Sequence, residues 1–178
     1  MRENMVLLAD YNRWINQRIY AAASQLSPGE LARDRGAFFG SILGTLNHIA
    51  VGDTVWLKRF AQHPAPQPAL DPVRRLPAPQ ALDQRLFDDF GALRAHRAML
   101  DDMIVRWAAE LEEAELEKPL HYTNMRGERF ARRFSSLVLH FFNHQTHHRG
   151  QVTTLLSQAG VDVGATDLLA IIPEASSG

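Results

Sequence analysis

Apolar side chains recur along most of this chain at spacings of three and four residues, the period of a helix with one buried face. From about residue 3 to 26, Leu7, Tyr11, Trp14, Arg18, Ala22 and Leu26 trace such a stripe, Arg18 the one charged position in it, with Leu8, Ile15 and Ile19 beside it, and Pro28 and Gly29 end it. A short polar loop is expected next. Ser41 is placed to N-cap a second helix that reaches about Gln62, with Ile42, Leu46, Ile49, Trp56 and Phe60 as its main stripe. Val51, Val55 and Leu57 lie off that stripe, so this helix is expected to be buried on several sides. Between His63 and Gln80 stand Pro64, Pro66, Pro68, Pro72, Pro77 and Pro79, too dense for helix interior. An extended connector crossing between helices is expected there. A third helix is predicted from about Ala81 to Glu112 on Leu82, Leu86, Phe90, Leu93, Leu100, Ile104 and Trp107.

The period then changes. Tyr122, Thr123 and Phe130 flank Asn124-Met125-Arg126-Gly127, which has the chemistry of a turn and predicts a small β-hairpin. The last long helix runs from Ser135 or Ser136 to Ala159, with Gly160 as its stop, and one more helical turn is expected from Asp167 to Ile172, ended by Pro173. The sum is an all-α chain, a four-helix bundle with one long crossover connection and a small hairpin before the last long helix. Its 178 residues suffice for one domain with a real core and not for two, so residues 1–178 are expected to form a single domain.

Composition narrows the chemistry. Apolar residues make up 46% and charged residues 22%, an ordinary globular mixture, and a formal charge of −1 gives no pull toward nucleic acid or an anionic membrane. Cysteine is absent, which removes disulfides, thiolate ligands and a cysteine nucleophile together. A metal site must then use His, Asp, Glu or water. Met1 to Asp10 lacks the apolar core of a signal peptide, and no run of about 18 apolar residues occurs, so a cytoplasmic location without a membrane partner is expected.

His140, His144, His147 and His148 crowd the last helix. Histidines four apart project from one helical face and can grip one ion with both rings. With Leu137, Phe141, Val152 and Leu155 marking the inward face, His148 falls near its middle and His144 at its edge, while His140 and His147 lie further round. The favoured pair is therefore His144 with His148. His48 is the best third ligand, in the middle of the second helix with Gly44 and Gly52 one turn to either side, and helix glycines often mark a close neighbour. Three imidazoles leave an open coordination position, as in catalytic sites. Spacing alone equally permits a solvated histidine face or a hydrogen-bonded core histidine. His63, His96 and His121 are expected at the surface.

Asp53 falls in the apolar stripe of the second helix, either as an orienter or general base or, as the favoured reading, in an ion pair with an arginine of a neighbouring helix. His140 is a candidate for handling a proton at the site or for supporting its ligands, or is a surface residue. Arg149 and Gln151 are candidates for holding an anionic substrate at the pocket mouth, or are solvated surface. Trp14, Trp56 and Trp107 read as core anchors.

The run Asn143-His144-Gln145-Thr146-His147-His148-Arg149-Gly150-Gln151 resembles the closing motif of the DinB-like (damage-inducible) bundle family. Tyr11-Asn12-Arg13-Trp14-Ile15-Asn16 is similar to that family's first helix, and Leu46-Asn47-His48 through Asp53 and Trp56-Leu57 to its second. The resemblance implies a four-helix bundle with a metal site at His48, His144 and His148, and a homodimer. It also implies function: relatives look like transferases and isomerases in which the metal activates a low-molecular-weight thiol, and others like metal-dependent hydrolases. Three imidazoles suit zinc or nickel first, and also copper, cobalt and iron. The expected function is thus thiol-dependent transfer or isomerisation of a small electrophile by a metalloenzyme. The alternatives are hydrolysis of a small substrate, or a non-catalytic protein in which the ion only ties two helices together. No basic helix or aromatic-basic face suggests a nucleic-acid partner, despite the family's name.

Overall fold

The computed structural model describes residues 1–174, so the end of the expected 1–178 domain lies outside the described residues. The first apolar stripe winds into α1 (Arg2–Ala23), which buries Met5, Ala9, Ile15, Ile19 and Ala23. Where a polar loop was expected, Ser27 caps a short helix, α2 (Pro28–Ala32): its Oγ accepts from the Glu30 N–H, and Pro28 opens the first turn. Ser41 caps α3 (Ile42–Phe60) in the same way, its Oγ accepting from the Gly44 N–H at 3.0 Å.

The proline-rich connector is not extended throughout. Pro68–Leu70 makes a 3-10 turn that leads into α4 (Asp71–Arg75), and Leu70 and Val73 reach the core. Proline fits here because the first position of a helical turn needs no N–H donor and its fixed φ suits the helix.

The third long helix, α5 (Phe90–Glu110), begins well after the expected Ala81. Residues 81–89 stay non-helical because their backbone is bonded sideways to α3. The Asn47 Oδ1 accepts from the N–H groups of Leu86 (2.8 Å) and Phe87 (3.0 Å), and its Nδ2 donates to the Phe87 carbonyl at 3.0 Å. Asp89 then caps α5 by accepting from the Ala92 N–H at 2.7 Å. Leu82, assigned above to an apolar stripe, is consequently exposed.

A four-residue helix, α6 (Glu113–Leu116), precedes the hairpin β1 (Pro119–Thr123) and β2 (Arg129–Arg133), which pair antiparallel with Tyr122 opposite Phe130. α7 (Phe134–Gln158) follows directly and stops at Gly160, whose φ of 78° suits glycine. A 3-10 turn at Leu168–Ile171 occupies the expected last helical segment.

The architecture is the expected all-α bundle with a small hairpin. α1 lies against α5 and α7, and α3 against α7 and α5. Toward one end the core is aromatic: Phe60 stacks on Trp107 with centroids 5.0 Å apart, and Phe134 and Phe141 meet Phe60 edge-on. Elsewhere it is polar. Asn12, Asn16, Asp53, Arg97, Asp101, Gln145 and Arg149 are all buried. Among the described residues no helix is long and apolar enough to cross a membrane.

Candidate metal centre

The packing of α3 against α7 brings His48, His144 and His148 together. The His48 Nε2 lies 3.3 Å from the His144 Nε2 and 3.1 Å from the His148 Nε2, and one nitrogen from each ring falls within 4.8 Å of the others. The two glycines beside His48 have separate steric reasons. A Cβ at Gly52 would stand 2.7 Å from the His144 Cε1, so glycine lets the ring of α7 cross α3. A Cβ at Gly44 would stand 2.1 Å from the carbonyl oxygen of Phe39, whose ring stacks on His48 with centroids 3.8 Å apart.

The hydrogen bonds on the far sides of two rings fix their tautomers. The His48 Nδ1 is 2.7 Å from the carbonyl oxygen of Leu82, which can only accept. The His148 Nδ1 is 2.8 Å from the Gln151 Oε1. Both Nδ1 atoms therefore carry the proton, and both Nε2 atoms of the neutral rings present bare lone pairs to each other. Facing lone pairs at this separation are suited to sharing a cation. An ion about 2.0–2.1 Å from each nitrogen in tetrahedral geometry would space the nitrogens about 3.3–3.4 Å apart, close to what the rings already adopt. The residues thus fit a divalent ion, and the two far-side acceptors are the kind that orient metal-binding histidines.

Electrostatics agree with neutral rings. Burial is the first cause lowering the pKa of all three histidines. For His144, burial and then the neighbouring His148 and His48 push it down to about 3. The Leu82 carbonyl pulls His48 back up in part, and Gln151 does the same for His148.

The rings of His48 and His144 open onto a cleft of about 330 Å³, walled by Val55, Trp56 and Arg59 of α3, by Leu82, by the hairpin turn at Met125 and Arg126, and by His140. Trp56 is accordingly a cleft wall as well as a packing residue. His140 stands edge-on to Trp56 at 5.1 Å and 6.1 Å from the His144 ring centre. Burial, then the charges of Arg132 and Arg59, hold it below its ordinary pKa.

Other candidates lie elsewhere. The fully buried Asp53 pairs with Arg97 of α5, the reading favoured from the sequence. Arg149 does not reach the cleft mouth: it is buried, donates to the Asn12 Oδ1 and the Thr146 Oγ1, and lies over the Tyr11 ring. The centre of α7's inward face is held by Gln145 and Arg149, with His144 and His148 on the flank toward α3. His147 is exposed and His121 is too. Two surface assignments need correction: His63 is buried and stacks on Phe134 at 4.5 Å, because the connector folds back over the start of α7, and His96 is half-buried against Phe87. Sequence reasoning missed the Leu82 carbonyl and the Phe39 ring, since neither carries a motif. Gln151 was singled out for a different role, although its place three residues after His148 signals a neighbour on the same helix.

The DinB family model matches residues 1–175. Protein DinB of Bacillus subtilis (strain 168) is 27% identical over 165 residues, covering 90% of this chain and 88% of that protein. No solved structure matches.

Proposed function

We propose that this chain, which belongs to the DinB family, is a metal-dependent enzyme that joins a small thiol to a small electrophile in the cleft above His48, His144 and His148. The observation that carries the reading is the convergence of three imidazole nitrogens, two of the rings hydrogen-bonded on their far sides, where His48 and His144 border an open cleft. A divalent ion there, zinc or nickel in first place, would keep its full +2 charge among neutral ligands and lower the pKa of a thiol or water.

The chain's own residues set the rest. Leu82 and Gln151 hold the rings of His48 and His148 in place. Trp56 and Val55 line one wall and limit water around an electrophile. His140 is neutral at pH 7 by the direction of its shift, so its free ring nitrogen can take the proton an incoming thiol gives up. The chain has no cysteine, so the thiol must come from outside. Transfer is favoured over hydrolysis because a metal-held thiolate needs no strong base whereas an attacking water does: His140 is a weak base by the direction of its shift, Asp53 is held by Arg97, and among the described residues no carboxylate lines the cleft.

Elemental analysis of the purified protein should find about one ion per chain. The cobalt-loaded protein titrated with small thiols should develop a sulfur-to-metal charge-transfer band, with a midpoint pH below the free thiol's value of about 8.5. Water-dependent turnover of esters or amides with no such band would replace transfer by hydrolysis. Tightly held metal with neither activity would leave an ion that only ties α3 to α7.

A further inference from the structure

Four consecutive stations on one face of α3 point the same way: His48, Gly52, Trp56 and Arg59, at spacings of four, four and three, all border the same cleft. Arg59 therefore shares a helix face with His48 and stands about 16 Å from it along the axis between Cα atoms. Its guanidinium lies over the Trp56 ring at 4.6 Å and near the Tyr122 ring at 5.2 Å, which holds it without a counter-ion. Burial lowers its pKa, with Tyr122 opposing, as befits a half-buried cation. Across the cleft the hairpin turn supplies Arg126. Asn124 fixes that turn, its Oδ1 accepting from the N–H groups of Arg126 (2.8 Å) and Glu128 (3.0 Å). Among the described residues neither Arg59 nor Arg126 has a carboxylate partner, although Arg133 of the same hairpin pairs with Glu117. Among the described residues no acidic side chain borders the cleft, and the charges of Arg132 and Arg59 both bear on His140 at its edge.

We propose that the cleft selects small carboxylate-bearing substrates, held by the guanidinium forks of Arg59 and Arg126 while the rest of the molecule extends toward His144. This inference names the substrate class for the activity proposed above and rests on that reading for its chemistry, not for its binding step. Arginine suits the task because its planar fork matches both oxygens of a carboxylate. A partly desolvated guanidinium with no partner gains most from such an ion. The cleft's volume of about 330 Å³ admits a molecule of a few carbons and not a polymer.

Succinate, dimethyl succinate and inorganic phosphate are the probes, titrated calorimetrically into metal-loaded and chelator-treated full-length protein. Succinate should bind in both forms, and its dimethyl ester and phosphate much more weakly. Arg59→Gln should weaken succinate binding about tenfold or more, as expected for a lost charged hydrogen bond. Arg126→Gln, at the exposed rim, should weaken it several-fold. Arg129→Gln, on the opposite face of the hairpin from Tyr122, should change nothing. Arg59→Lys should fall between wild type and Arg59→Gln, because it keeps the charge and loses the fork. Should Arg59→Gln fail to fold, Arg126→Gln and Arg59→Lys decide alone. Equal binding of acid and ester, preference for phosphate, or unchanged affinity in the arginine variants overturns the proposal. Succinate binding that vanishes with the metal also overturns it, since the ion alone would then hold the carboxylate. Metal content, read separately, reports on the proposed function without bearing on the arginine result.

Discussion

At Gly52 a hydrogen atom stands where any other residue would place a carbon 2.7 Å from the His144 Cε1. Gly52→Ala should therefore push the His144 ring out of register with the other two. Alanine favours the helix itself by about 1 kcal/mol, so the fold should hold while metal affinity falls about tenfold or more, for loss of proper ligand placement. Competition with a chelator, beside circular dichroism, separates these effects. The neighbouring histidines make a sharper contrast. His144→Ala and His148→Ala should abolish metal binding, whereas His147→Ala, whose exposed ring meets the Gln151 amide and the edge of the His148 ring but turns no nitrogen to the centre, should leave it nearly intact. Equal losses in all three variants would refute the assignment of the ligand face. Asp53 belongs to stability instead. Asp53→Asn breaks a fully buried ion pair with Arg97 and should cost about 3–5 kcal/mol in urea unfolding, with metal content unchanged in the protein that remains folded.

Elements were legible wherever one apolar stripe ran against a clear stop. α1, α3 and α7 could be placed this way, and the turn residues Asn124 to Gly127 announced the hairpin. The start of α5 could not, because Leu82 and Leu86 continue a helical spacing that Asn47 overrides from a different helix. Nothing local to residues 81–89 reveals a carboxamide waiting for their N–H groups. On α7 the apolar positions Leu137, Phe141, Val152 and Leu155 do face the core, but the spacing does not reveal that Gln145 and Arg149 are buried among them, Arg149 bonded to Asn12 of α1. Hydrophobic periodicity cannot register a buried charge. The histidine cluster was visible as spacing, but its far-side partners depend on tertiary contact. The polar layer also carries a prediction about element packing. Arg97 contacts both Asp53 and Asp101, and those carboxylates hold its pKa above the ordinary value against the opposing effect of burial. Arg97→Met should thus destabilise the contacts of α5 with α3 and α1 by about 3–5 kcal/mol, through two carboxylates left buried without a cation. Replacing Asp53 and Asp101 by Asn in the same chain should recover part of that loss, measured by urea unfolding.

For the molecule as a whole, α3 and α7 meet through the apolar core as well as through the histidines. Phe60 touches Phe141 and Phe134 at the end of the bundle away from His48. Removing the ion, or replacing His48 with alanine, should therefore leave a folded helical protein. A bound ion at a hundred times its dissociation constant adds about 2.7 kcal/mol of stability, so chelation should lower the melting temperature without abolishing the transition. An unfolded His48→Ala variant would instead mark the ion as structural. The Leu82 contact bears on how such a centre tolerates sequence drift. His48 is oriented by a main-chain oxygen, so residue 82 can change side chain without losing that contact, and Leu82→Ser, at the cleft's exposed edge, should keep full metal affinity. The burden moves to Asn47, whose side chain sets the path of the segment that carries that oxygen. Asn47→Ala should loosen metal binding through a residue that never faces the ion. Substitution at one position is thereby silent, and substitution at another, remote in sequence from the carbonyl it governs, is not.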